Sequence, residues 1–112
     1  MSQTPAEEIT AKIRQRRWQM LVHSRLYYID DDPIVSDSQW QQWANELRDL
    51  QQENPELTKI GLYDDKFADW TGDTGYHLPL LAPDVAMKAL WVKRIHDERQ
   101  NVSGRRGHVS AK

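Results

Sequence analysis

Apolar residues recur at helical spacing in three stretches of the chain, and proline-containing breaks end the first two. The first stretch opens at Thr4-Pro5-Ala6-Glu7, where Thr can cap, Pro suits the first helical position and Glu can close a capping box. Ile9, Ile13, Met20, Leu21, Tyr27 and Tyr28 follow, with Trp18 beside them and Arg16 and Arg17 interrupting the stripe. The pattern predicts a helix over 5–30, about 25 residues and roughly 38 Å long. A small partner cannot bury a helix of that length throughout, so its N-terminal half is expected to overhang. Asp30-Asp31-Asp32-Pro33 stops it. Ser36 to Gln39 reads as a second capping box, and Trp40, Trp43, Ala44, Leu47 and Leu50 then give the cleanest amphipathic run, closed by Asn54-Pro55. The short connection predicts an antiparallel helical hairpin.

Residues 58–82 lack a 3.6-residue period. They carry three of the five glycines and alternate Asp with aromatics, which predicts loops, with a brief strand pair around Gly72–Gly75. Tyr63, Phe67, Trp70 and Tyr76 are expected to fold back onto the hairpin as a lid. Ala82-Pro83-Asp84 opens a third helix. Its stripe is Met87, Leu90, Trp91 and Ile95, with Val85, Ala89 and Val92 alongside, and it is expected to end near Asn101. Residues 102–112 read as a disordered basic tail. The expected fold is therefore all-α, a single domain over 1–101. It consists of a long hairpin (5–57), an irregular aromatic-rich segment (58–82) and a third packing helix (83–101). Trp40, Trp43, Leu47, Leu50, Met87, Leu90, Trp91 and Ile95 are the expected core.

Composition narrows the function more by exclusion than by assignment. Fifteen Lys+Arg against 17 Asp+Glu give a formal charge of −2, which does not suit a nucleic-acid coat. The absence of cysteine excludes disulfides, thiolate metal sites and a Cys nucleophile. No apolar run approaches the roughly 20 residues of a membrane span, and the polar N-terminus is unlike a signal peptide. Asp64, Asp65, Asp69 and Asp73 do not follow the EF-hand spacing. His23, His77, His96 and His108 show no zinc-type pairing, so no metal is expected. No catalytic motif is present, and no catalytic residue is assigned. Lys12, Arg14, Arg16 and Arg17 read as a solvated face balanced by Glu7 and Glu8. Nucleic-acid contact is expected only weakly, through Arg105-Arg106 in the tail.

The end of the hairpin is the more informative place. Tyr27 and Tyr28 close the first helix, Trp40 begins the second, and Asp31 and Asp37 lie beside them. Aromatic faces flanked by carboxylates suit a flat cation, although the same aromatics would also staple a hairpin.

The run from Arg25 to Trp40, with Glu46-Leu47-Arg48-Asp49-Leu50 and Asn54-Pro55-Glu56-Leu57, resembles the N-terminal Ia domain of bacterial NAD-dependent DNA ligases. The likeness covers residues 15–57. The second half, with Asp69-Trp70-Thr71-Gly72-Asp73-Thr74-Gly75, is similar to short ligase-related bacteriophage proteins. The resemblance implies a helical hairpin that holds the nicotinamide mononucleotide (NMN) half of NAD. By position, Tyr27 matches a pocket Tyr and Asp37 a ligand-contacting Asp. Trp40 stands for Tyr, Tyr28 for a frequent His, and Gln41 for Asp. The ligase K-x-D-G lysine motif is absent, so no ligase chemistry and no enzyme activity is expected, and no resident cofactor. The resemblance points to a phage- or prophage-type accessory protein in the bacterial cytoplasm. It would bind a host or phage protein through the hairpin, for instance to inhibit a defence or replication enzyme. The alternative is a binder of NMN or NAD through Tyr27, Tyr28, Asp31, Asp37, Trp40 and Gln41. An exposed Trp18–Tyr28 stripe on the first helix would be compatible with a homodimer as well as with a heteromeric contact.

Overall fold

The computed structural model describes residues 4–108, with side chains through Gln100. It is all-α: α1 (Pro5–Tyr28), α2 (Asp37–Glu53), a single 3-10 turn (Pro55–Leu57) and α3 (Pro83–His108). No described residue is in a strand, so the strand pair expected near Gly72–Gly75 does not form. No described helix is long and apolar enough to cross a membrane.

Sequence chemistry sets the helix starts. Thr4 Oγ1 accepts from the Glu7 N–H at 3.1 Å and Glu7 Oε1 accepts from the Thr4 N–H at 3.1 Å, completing the capping box. At α2, Ser36 Oγ accepts from the Gln39 N–H at 3.0 Å. The three acids at the end of α1 oppose its dipole, and two of them find cations. Asp30 pairs with Arg25 at 3.3 Å and Asp32 with Lys93 of α3 at 2.9 Å.

α1 lies between α2 and α3, which do not pack on each other. That position explains its broken stripe. Ile13, Met20 and Leu21 pack with Ala44 and Leu47 of α2 and with Phe67 and Trp70 of the lid. Val22 and Leu26 pack instead with Ala89 of α3. A helix buried on two sides does not concentrate its apolar residues on one face. Nor does its N-terminal half overhang, because residues 58–64 run against it. Ile13 is fully buried, and Arg14 Nη2 donates to the Ile60 carbonyl at 3.2 Å.

Arg17 is a further departure from expectation. It is buried rather than solvated, with 1% of its surface exposed. Its Nε donates to Gln51 Oε1 (2.9 Å) and its Nη2 to the Thr58 carbonyl (2.8 Å). Nη1 donates to the Leu62 carbonyl (2.8 Å) and to Asp64 Oδ1 (2.6 Å). The guanidinium also lies 5.2 Å from the Phe67 ring centroid. Burial would raise the Asp64 carboxyl, but Arg17 and the N–H groups of Gly61, Ile60 and Leu62 overcome it and hold the pKa at about 2. Asp64 therefore organises a loop, and no group of acids or histidines that could hold a metal occurs among the described residues.

α3 packs through its small side chains. Val85 and Ala89 are fully buried, whereas Met87, Leu90 and Trp91 are 68%, 60% and 60% exposed. The stripe expected to enter the core faces outward, and Ile95 is only half-buried. The entry of the helix fixes its rotation: Tyr63 donates to Asp84 Oδ1 at 2.7 Å, and Arg25 donates to the Leu80 carbonyl at 2.9 Å. The bulk at that interface comes from α1, so a small partner face allows close approach. Of the other expected core residues, Leu47 is buried, and Trp40, Trp43 and Leu50 are half-buried. α3 also runs past the expected end at 101, to His108. Residues 109–112 of the expected tail lie outside the described residues.

Two measurements check this packing. Ala89→Leu should lose about 1–3 kcal/mol through overpacking, while Met87→Ser should change stability by less than about 0.5 kcal/mol; urea unfolding that ranks them the other way would reverse the face assigned to α3. Arg17→Met should cost about 3–5 kcal/mol by stranding Asp64 and the polar groups around it, read by the same denaturation.

Candidate functional site

The hairpin end encloses a cavity of about 280 Å³, at the small end of the range for ligand sites. His23, Tyr27 and Tyr28 come from the last turns of α1, where His23 and Tyr27 share a face at i and i+4 and Tyr28 flanks them. Pro33, Val35 and Ser36 come from the connection, and Asp37, Trp40 and Gln41 from the first turns of α2. Asp73 comes from the lid.

Local structure holds each wall. Asp31 takes φ 53°, a left-handed conformation that Asp tolerates better than most residues. The Asp32 N–H then reaches the Leu26 carbonyl at 2.8 Å, reversing the chain. Trp40 Nε1 donates to Ser24 Oγ at 3.1 Å, which fixes the indole against α1. Tyr27 and Tyr28 meet edge to face at 4.9 Å and 86°. Tyr28 is in turn edge-on to Tyr76 of the lid at 5.3 Å.

The lid is attached at the cavity mouth by two polar contacts. Gln41 Nε2 donates to the Gly72 carbonyl at 2.8 Å, a bond that a carboxylate at position 41 could not donate. Tyr28 and Thr74 share a hydroxyl–hydroxyl bond of 3.0 Å. Close backbone approach makes these contacts reachable. A Cβ on Gly75 would collide with Ser24 Oγ, and Gly72 sits at φ 86° over the Ala44 carbonyl.

The charges are one-sided. Two aspartates line the cavity and no Lys or Arg does. His23 adds no positive charge: burial, and then the charge of His96, lower its pKa to about 4. Its Nδ1 has no hydrogen-bond partner, and its ring lies 5.3 Å from Trp43. The cavity thus offers aromatic surface and two carboxylates.

Residues 6–60 match the family of DNA ligase-like, N-terminal NAD+-binding domains. Curated relatives agree. The DNA ligase of Psychrobacter sp. is 37% identical over 54 residues, 48% of this chain and 8% of that protein. The Brachyspira hyodysenteriae DNA ligase is 38% identical over 53 residues, 47% of this chain and 8% of that protein. The Chloroflexus aggregans DNA ligase is 40% identical over 50 residues, 45% of this chain and 7% of that protein. The chain spans less than a tenth of the length of these ligases. No solved structure matches it.

The ligase-like segment contains α1, α2 and the 3-10 turn, and hence every cavity wall except Asp73. Of the residues singled out from sequence, Tyr27, Tyr28, Asp37, Trp40 and Gln41 line the cavity, and Asp31 does not. Asp31 instead forms the reversal behind it. His23 was legible in principle, since it precedes Tyr27 by one helical turn. Asp73 carried no such signal, because only the folding of the lid brings it there.

His23 gives the site a pH signature. A histidine depressed from 6.5 to about 4 on folding binds its proton more readily in the unfolded chain. Stability should therefore fall as pH drops from about 6.5 towards 4, by on the order of 3 kcal/mol. Urea unfolding across that range should show the slope, and His23→Gln should remove it.

Proposed function

We propose that this protein is a non-catalytic binder of a nicotinamide nucleotide, NMN or NAD. The observation that carries the reading is the cavity at the hairpin end. It gathers Tyr27, Trp40 and Asp37 within the segment that matches NAD+-binding domains. A positively charged pyridinium ring suits aromatic walls beside carboxylates. The absence of Lys and Arg from the lining disfavours a phosphate inside it and leaves the ribose phosphate at the open mouth. The chain has no K-x-D-G motif to accept an adenylyl group, which supports binding without turnover.

The accessory-protein reading has an observation of its own, on a different surface. Leu81, Met87, Leu90 and Trp91 are 76%, 68%, 60% and 60% exposed, and exposed apolar clusters often mark protein contacts. In that reading α3, rather than the hairpin, would meet a host or phage protein.

Amide NMR titration with NMN and with NAD tests the first reading. Saturable shifts centred on Tyr27, Asp37 and Trp40 are expected, and Asp37→Asn should weaken them. The substitution also removes a first-turn charge that contributes about 0.3–1 kcal/mol to α2, so the fold is followed in the same spectra. No shift up to millimolar ligand would overturn nucleotide binding and leave the α3 surface as the functional one.

A further inference from the structure

Asp73 lies outside the ligase-like segment, yet it lines the same cavity as Asp37. Its side chain makes no hydrogen bond and no ion pair among the described residues, a state it shares with Asp31, Asp37, Asp65 and Asp69 but not with Asp30, Asp32, Asp49, Asp64, Asp84 and Asp97. The segment on either side of it is held. The neighbouring Gly72 carbonyl accepts from Gln41, and Thr74 bonds to Tyr28. Gly75 is pressed against Ser24 and Trp40. A carboxylate without a partner is thus positioned by anchored backbone at the mouth of an aromatic cavity. His23, a side chain 9% exposed, lines the same cavity, and its buried Nδ1 has no hydrogen-bond partner. An unpaired buried polar atom is costly unless something meets it.

We infer that Asp73 is a specificity-determining residue of this pocket, selecting a flat ring that carries a positive charge over the same ring without it. The inference rests on the nicotinamide reading and deepens it: the ligand would be the oxidised nicotinamide nucleotide. Asp37 and Asp73 approach from two separate segments, α2 and the lid, so a cation between them is stabilised from both. A reduced nicotinamide retains the shape and the carboxamide but loses the charge, and so keeps the aromatic contacts and forfeits the attraction to both carboxylates.

The test is calorimetric titration of the full chain with NAD+ and with NADH, at one fixed low ionic strength because the carboxylates are screened by salt. The unsubstituted protein should bind NAD+ more tightly than NADH. Asp73→Asn, nearly isosteric and at an exposed position, should lower that preference roughly three- to tenfold. It should do so by weakening NAD+ while leaving NADH affinity unchanged. Near-UV circular dichroism of the lid tryptophan checks that the lid stays in place. Thr74→Val, which removes the Tyr28 latch but keeps the carboxylate, should weaken both ligands alike. Equal loss of NAD+ and NADH in Asp73→Asn, or no loss of either, would overturn the selective role of Asp73 and leave the nucleotide reading standing. Binding of neither ligand by the unsubstituted protein would overturn both.

Discussion

A charge that cannot stay in the interior without company organises this molecule. Arg17 occupies the middle of α1, where helical spacing would place an apolar side chain, and it is almost wholly buried. Its donors are taken up by Gln51 of α2, by the Thr58 and Leu62 carbonyls and by Asp64. Three pieces of chain distant in sequence thus meet at one planar group. The geometry requires the fork of an arginine, since a lysine ammonium could not reach in those directions at once. The cost of desolvating the guanidinium is met only when the segment after α2 folds under α1. That coupling gives an otherwise irregular segment a defined path.

Once that segment is fixed at Asp64, its remaining aromatics have little choice. Phe67 and Trp70 enter the core, and Trp70 Nε1 donates to the Ala44 carbonyl at 3.0 Å. The chain then passes over α2 at Gly72, whose φ of 86° favours glycine, and over α1 at Gly75, where a Cβ would collide with Ser24. Between them lies Asp73. The cavity at the hairpin end is therefore a product of the same coupling: the hairpin supplies its aromatic walls, and the lid supplies its second carboxylate. Tyr63 and Arg25 carry the constraint onward by fixing the start of α3.

The cavity has the opposite electrostatic character from the Arg17 site. There a buried cation is fully partnered. Here two carboxylates lie near water, and the neighbouring His23 is held neutral by burial. A protonated His23 would offset part of the negative field that suits a cationic ring. Its neutrality and the charge of the aspartates thus act in the same sense.

The sequence by itself determined the local structure. The caps at Thr4 and Ser36, the stop at Asp30–Pro33 and the 3.6-residue run from Trp40 to Leu50 are properties of neighbours along the chain. They were legible because short-range hydrogen bonds and proline stereochemistry do not wait for the fold. The hairpin end followed directly, and with it Tyr27, Tyr28, Asp37 and Trp40 at one cavity, whereas Gln41 was indicated only by the ligase resemblance and Asp31 lies outside the lining. Tertiary structure decided whatever depends on which face meets which partner. Val85 and Ala89 rather than Met87 and Trp91 entered the interface, because periodicity gives two adjacent stripes and only the rotation imposed at Asp84 chooses between them. Arg17 looked like part of a solvated charge run until Asp64 and two carbonyls, more than forty residues away, surrounded it. Asp73 reached the cavity for the same reason: its position is set by contacts that span the chain, and no local pattern encodes such contacts.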